Sequence, residues 1–197
     1  MKGTALHLTV TDRLAESVLK RYRFSPQDRD LLTGVGKRVQ NAVREGARFW
    51  VRWDGNGRRG RADAALTLGG EVDALQEGYA REDRLLECYM AEVFSDELMR
   101  LACGQLNEWI LENAGLRVAR YRFFGEDPQL PLEDMPGVLS RVGAEGIRCN
   151  PAFCLIPKKS LVFEMLLSPD PETSCAAICS GCGRKNCPNR NEEENGG

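Results

Sequence analysis

The sequence is poor in the residues that most often carry catalysis, because it has a single histidine, His7. Ser-His-Asp catalysis and mixed cysteine–histidine metal sites are therefore disfavoured. Neither a P-loop nor a GxGxxG run that opens a helix is present, so the usual nucleotide-binding fingerprints are missing as well. These absences leave metal or redox chemistry and protein binding as the main function classes.

Two further absences concern partners and location. The net charge is only -2, which argues against a general nucleic-acid binder, since such a protein needs a large positive surface. No apolar run approaches the roughly 20 residues that span a bilayer, and residues 1–10 are too short and polar for a signal peptide. We therefore expect a cytoplasmic protein with no membrane and no nucleic-acid partner.

Cysteine, in contrast, is abundant and clustered. Four of the eight cysteines lie in residues 175–187, as Cys175, Cys179, Cys182 and Cys187. In the cytosol, clustered cysteines are more often metal ligands or redox groups than disulfides. A compact run with a proline after its last cysteine is typical of iron–sulfur ligation, and it lacks the two separated knuckles of most zinc sites. The run predicts a [4Fe–4S] cluster, with zinc or a disulfide or free-thiol state as alternatives.

The first three of these cysteines match the CxxxCxxC spacing of radical S-adenosylmethionine enzymes. Those enzymes build a large barrel after the motif, whereas only residues 183–197 follow Cys182 here. We therefore reject that interpretation. Cys88 and Cys103 lie in a helical pattern and are interpreted as small buried hydrophobic residues.

Periodicity predicts an α+β body. Helical spacing covers residues 11–24 and 28–46, and it returns over 71–113, with a break near 79–83, and over 132–145. Strand patterns cover 47–53, 62–68, 116–124, 147–150 and 161–167, with a tight turn after the first of them. In the first strand, Phe49, Val51 and Trp53 alternate with Arg48, Trp50 and Arg52, which predicts a half-buried strand.

The end of the chain differs in composition from the body. We predict a body over 1–168, a linker and cysteine-rich tail over 169–190, and a disordered acidic end over 191–197. An acidic cluster near residue 130 is interpreted either as a solvated face or as a cation site. It consists of Glu126, Asp127, Glu133 and Asp134.

Three stretches, over residues 64–72, 122–133 and 146–161, resemble stand-alone proteins similar to the activation domain of vitamin B12-dependent methionine synthase. The resemblance covers roughly residues 60–165, and many such proteins also end in a cysteine cluster. It implies an α+β single domain with a twisted, mainly antiparallel sheet and flanking helices, to which the short cysteine-rich tail is appended.

The resemblance also implies a function. The activation domain binds S-adenosylmethionine, docks on a corrinoid-binding protein or domain, and supports reductive methylation of inactive cob(II)alamin. In the full-length enzyme an external flavoprotein supplies the electron. We therefore expect an accessory protein for reductive reactivation of a corrinoid protein or corrinoid methyltransferase, with the tail cluster supplying or relaying a low-potential electron. An electron-donor protein is a further expected partner. The alternatives are a zinc-stabilised docking module and an S-adenosylmethionine-dependent methyl donor.

The loop that the resemblance assigns to S-adenosylmethionine is altered in this chain. The family has an Arg, three residues and then Gly-Tyr, shortly before a Pro-Leu-Glu segment. Counting back from Pro131, Arg122 falls on the Arg, whereas Glu126 and Asp127 fall on the Gly-Tyr pair. Arg122 and Gly125, which is one position early, are the cofactor-binding candidates. The alternative for Arg122 is an exposed strand residue, and methyl-donor binding is expected to be altered or lost.

Overall fold

A computed structural model of the protein describes residues 2–54, 60–174 and 178. The described part contains five α-helices: α1 (Asp12–Arg21), α2 (Arg29–Val43), α3 (Glu71–Arg81), α4 (Leu85–Ala114) and α5 (Met135–Val142). Its strands are β1 (Thr4–Ala5), β2 (Arg48–Trp53), β3 (Arg61–Thr67), β4 (Arg117–Phe123), β5 (Arg148–Cys149), β6 (Leu155–Ile156) and β7 (Ser160–Ser168). The long helical and strand patterns of the sequence are confirmed, whereas the two-residue strands β1 and β6 were not predicted.

The main sheet has the strand order β1-β2-β3-β7-β4, and every neighbouring pair in it is antiparallel. The last strand, β7, lies between β3 and β4 and pairs with both. Strands β5 and β6 form a separate two-stranded sheet. Helices and an antiparallel sheet in one unit confirm the predicted α+β class.

Alternate residues of the strands point to opposite faces of the sheet. On the first face, Val51, Ala64, Phe163 and Phe123 stand opposite one another across four strands. This face packs against α2 and α4 to form the main core, in which Phe94, Leu98 and Leu106 of α4 are fully buried. The α4 helix ends at Gly115, which takes up the left-handed conformation (φ 66°) at the C-cap.

The second face is covered only in part. Trp50, Ala65 and Val162 lie opposite one another there and pack under Val138 and Val142 of α5. Trp50 is 3% exposed, so the prediction that it lies on the open side of a half-buried strand is wrong. Periodicity within β2 did not reveal a helix that arrives 85 residues later, and this helix is what buries Trp50.

The start of the first helix also differs from the prediction. The sequence predicts Asp12 as the cap of this helix, but Thr11 is the N-cap of α1, and its side chain accepts a hydrogen bond from the backbone N–H of Leu14 at 3.1 Å. Threonine and aspartate both serve as N-caps, so residue type does not decide between two adjacent candidates. Within the described residues, no helix combines the length and the apolar composition needed to span a bilayer.

Candidate functional site

The part of the second sheet face that α5 leaves open carries a row of charged residues. Arg52, Asp63, Glu164 and Arg122 stand directly opposite one another on β2, β3, β7 and β4. Because adjacent strands lie about 4.8 Å apart, the row spans four strands, with an arginine at each end and the two carboxylates side by side in the middle. The two outer pairs of the row join opposite charges, which stabilises the sheet, whereas the central Asp63–Glu164 pair joins like charges. Each of these two acids also has an ion-pair partner, Arg141 for Asp63 and Arg122 for Glu164.

Arg122 is the most deeply placed member of this row, with 7% of its surface exposed. Its Nε donates to Asp127 Oδ2 at 2.8 Å, and its Nη2 donates to Gln129 Oε1 at 2.9 Å. Its Nη1 donates to Glu164 Oε1. The interpretation of Arg122 as an exposed strand residue is therefore wrong, because all three guanidinium nitrogens have partners from this chain.

The loop after β4 brings Asp127 to this position. Its backbone is closed by hydrogen bonds from Asp127 N to Phe123 O at 3.1 Å and from Gly125 N to Leu130 O at 2.7 Å. Gly125 has φ 80°, a conformation that favours glycine, and a Cβ added there would lie 2.8 Å from Leu132 Cδ2. The structure thus shows a turn-forming role for Gly125, and a cofactor-binding role for Gly125 stays a prediction.

The charges of this cluster depend on one another. The hydrogen bond from Arg122, together with one from the backbone N–H of Gln129, lowers the pKa of Asp127 to about 2. The same contact with Asp127, followed by that with Glu164, raises the pKa of Arg122 further above its ordinary value. Asp127 and Arg122 therefore remain ionised throughout the physiological range, and the carboxylates of Asp127 and Glu164 both contact the Arg122 guanidinium.

Beside the row lies a cleft of about 480 Å³ lined mainly by charged side chains. Arg141 of α5 closes one side, where its Nη2 is 2.9 Å from Asp63 Oδ2 and its backbone carbonyl accepts from Arg52 Nη1 at 2.8 Å. Arg61 lies 3.8 Å from Glu164 Oε2 and is half exposed. A cleft with both charge signs in fixed positions is suited to a polar or zwitterionic ligand.

The four acidic residues near position 130 do not form one site. Asp127 turns inward to Arg122, whereas Glu126, Glu133 and Asp134 are exposed. In the part of the chain that the structure describes, no group of three or more His, Cys, Asp or Glu side chains is arranged to hold a metal ion. The acidic cluster therefore has no support there as a cation site.

Cys175, Cys179, Cys182 and Cys187 lie outside the described residues, so their prediction as metal ligands stays a prediction. The segment that leads to them forms a turn, in which Thr173 Oγ1 donates to Ser168 Oγ at 2.9 Å and Thr173 N donates to Asp170 O at 3.1 Å. Ile178, which is described, is partly buried against the main core.

The other four cysteines lie within the body and are not joined to one another by disulfides. Cys103 is 2% exposed and belongs to the main core, as predicted. Cys88 is half-buried, and its Sγ donates to Gln76 O at 3.7 Å. Cys154 is exposed, and burial raises the pKa of the neighbouring Cys149. None of these features indicates an activated thiolate.

Comparison with known proteins identifies the architecture. Neither a protein-family model nor a curated protein matches the sequence. Among solved structures, the MetH reactivation domain bound to AdoHcy matches over 86% of this chain and 70% of its own, with a TM-score of 0.51 and 11% sequence identity. The chain has the fold of the MetH reactivation domain. At this identity the likeness to the reactivation domain concerns the fold alone.

Sequence reasoning found Arg122 but missed two of its partners. Glu164 interrupts the otherwise apolar pattern of residues 161–167. That interruption was the available signal, because a lone carboxylate in a strand with few polar residues needs a cationic partner when it is buried. Gln129 carried no such signal, since a glutamine in a loop is ordinarily solvated.

Proposed function

We propose that this protein assists the reductive reactivation of a corrinoid protein. The body recognises the corrinoid protein, and the cysteine run holds a [4Fe–4S] cluster that supplies or relays the electron. The observation that carries the proposal is the fold, which is similar to the MetH reactivation domain over 86% of the chain. The body then corresponds to 1–168 and the cysteine-rich tail to 169–190.

The chemistry of reactivation supports separate roles for the body, which binds the corrinoid protein, and for the tail, which supplies the electron. Reduction of cob(II) to cob(I) adds one electron to the cobalt and requires a very negative potential. Iron–sulfur clusters reach potentials of about −700 mV, and the four cysteines of residues 175–187 supply enough thiolates for one cluster. A cluster held by these thiolates would accept one electron from an electron-donor protein and would pass it to the cobalt, so the protein would act as a relay.

A second candidate function, methyl transfer from S-adenosylmethionine, is favoured by the AdoHcy that accompanies the structural neighbour. The charged row and cleft on the second sheet face offer a polar site for such a ligand. We rank this function second because Arg122, the residue that the resemblance assigns to the ligand, is already engaged by Asp127, Glu164 and Gln129.

Metal analysis tests the proposed electron relay. The full chain is purified under strict anaerobiosis, and iron, acid-labile sulfide and zinc are measured together with the visible spectrum. We expect iron and sulfide in equal amounts and a brown colour. The Cys182→Ser variant should lose most of both. The matched control Cys154→Ser removes an exposed thiol of the body and should retain them.

Binding to the partner is measured separately. A corrinoid protein in the cob(II) state is mixed with the chain and a low-potential reductant, and complex formation and the loss of the cob(II) absorbance are followed. Zinc in place of iron would leave only the docking role. Absence of both iron and binding to the corrinoid protein would refute the proposal.

A further inference from the structure

We infer that Asp127 is an internal carboxylate that occupies Arg122 and thereby excludes the carboxylate of a ligand from this position. The inference deepens the proposed function, on which it rests, because it concerns the S-adenosylmethionine-type ligand of the same fold. It makes Asp127 the residue that determines which ligands the charged row accepts.

The first step is the occupancy of the guanidinium. A ligand with an α-amino acid portion offers a carboxylate, and arginine is the side chain that binds carboxylates through paired N–H groups. In this chain the Nε of Arg122 donates to Asp127 Oδ2 at 2.8 Å and its Nη2 donates to Gln129 Oε1 at 2.9 Å. A ligand carboxylate would have to displace these partners before it could bind.

The second step is charge. Arg122 contributes one positive charge, whereas Asp127 and Glu164 contribute two negative charges within hydrogen-bond distance of it. An incoming carboxylate would be the third anion at one cation. Like charges brought together in a partly desolvated site disfavour binding, so the cluster as it stands repels such a ligand.

The third step is that Asp127 is held in place independently of Arg122. Its Oδ1 accepts from Gln129 N at 3.0 Å, and its backbone carbonyl accepts from Leu130 N at 2.9 Å. The carboxylate is therefore preorganised against the guanidinium. Little ordering entropy is lost when the contact forms, which makes it a strong competitor for an external carboxylate.

Glu164 cannot serve as the exchangeable partner in the same way. It lies on β7 between Asp63 and Arg122 in the cross-strand row, and it also faces Arg61 at 3.8 Å. It is fixed by the pairing of two strands, whereas Asp127 belongs to a loop. Removing Asp127 alone would leave a neutral Arg122–Glu164 pair with guanidinium donors available.

The test is calorimetric titration of the full chain with S-adenosylhomocysteine. We expect weak binding of S-adenosylhomocysteine by the natural sequence and a Kd about tenfold lower for Asp127→Ala. Asp127→Asn should gain less, because its amide oxygen still accepts from Arg122. Asp134→Asn is the matched control, since it removes an exposed acid of the same region and should change nothing.

Two further measurements make the result specific. Methylthioadenosine lacks the amino acid portion, so its affinity should not respond to Asp127→Ala. Adding Arg122→Met to Asp127→Ala should abolish the gain. Circular dichroism of each variant verifies that the fold is retained.

The inference is overturned if the natural sequence already binds S-adenosylhomocysteine as tightly as Asp127→Ala, or if no folded variant gains affinity. Either result leaves the proposed function standing when the chain still binds the corrinoid protein. Loss of corrinoid-protein binding by the natural sequence would instead count against the proposed function itself.

Discussion

The two faces of the five-stranded sheet are formed by alternate residues of the same strands, but they are buried to different extents. The first face is apolar throughout and is covered by α2 and α4. The second has an apolar cluster under α5, and beside α5 it carries the charged row from Arg52 to Arg122. Stability is thus concentrated on one face, and the polar groups that can recognise a ligand are concentrated on the other.

The row of charges also explains how a polar face can be tolerated next to a core. The acids Asp63 and Glu164 are largely buried, with 21% and 14% of their side chains exposed. The arginines Arg61 and Arg141 each have 52% of the side chain exposed. Long arginine side chains lie over apolar and acidic groups and keep their charged ends in water. The open face therefore presents mainly arginine to solvent while its acids remain paired.

The largest effect is expected from a cavity in the covered face. Phe163 of β7 is fully buried there, and Phe163→Ala should lower the free energy of unfolding by about 3–5 kcal/mol. Leu166→Ala, on the same strand but on the open face, should cost less than about 1 kcal/mol. Urea unfolding monitored by circular dichroism measures both, and equal costs would contradict the difference between the faces.

An intermediate effect is expected from acid at Asp127. Its pKa is lowered from 3.8 to about 2, so its contribution to stability is complete above pH 4 and is lost as the pH falls through 2. The stability difference between the natural sequence and Asp127→Asn should therefore shrink between pH 4 and pH 2. Urea midpoints at pH 7, 4 and 2.5 measure it, and a difference that does not change with pH would show that the ion pair does not contribute.

The smallest effect is expected at the rim of the cleft. Arg141 and Asp63 form an ion pair at 2.9 Å between α5 and β3, with Arg141 half exposed. A double-mutant cycle with Arg141→Gln and Asp63→Asn should give a coupling free energy of about 0.2–1 kcal/mol. Added salt should reduce it. A coupling free energy well above that range would mean that the charged residues of the open face stabilise the fold as a cooperative network of ion pairs.

Much of the fold could be predicted from the sequence because its signals are local. The helical spacing over 71–113 and the break before Leu85 depend on residues a few positions apart, and both are confirmed. The short strands β1 and β6 have two residues each, too few to show a period of two. Within the charged cluster the sequence singled out Arg122, whose cofactor-binding role stays a prediction. Its partners were not assigned to it because they lie at different distances along the chain.

Taken by itself, the sequence determined the strand and helix periods, the clustering of four cysteines at residues 175–187 and the scarcity of histidine. The tertiary structure decided that Trp50 is buried and that Arg122 is enclosed by Asp127 and Glu164, the latter 42 positions away. The physical reason is that cross-strand register and the packing of α5 join residues that are distant in sequence. Whether a charged residue in a strand is solvated or paired can be decided only when its neighbours on the adjacent strands are known.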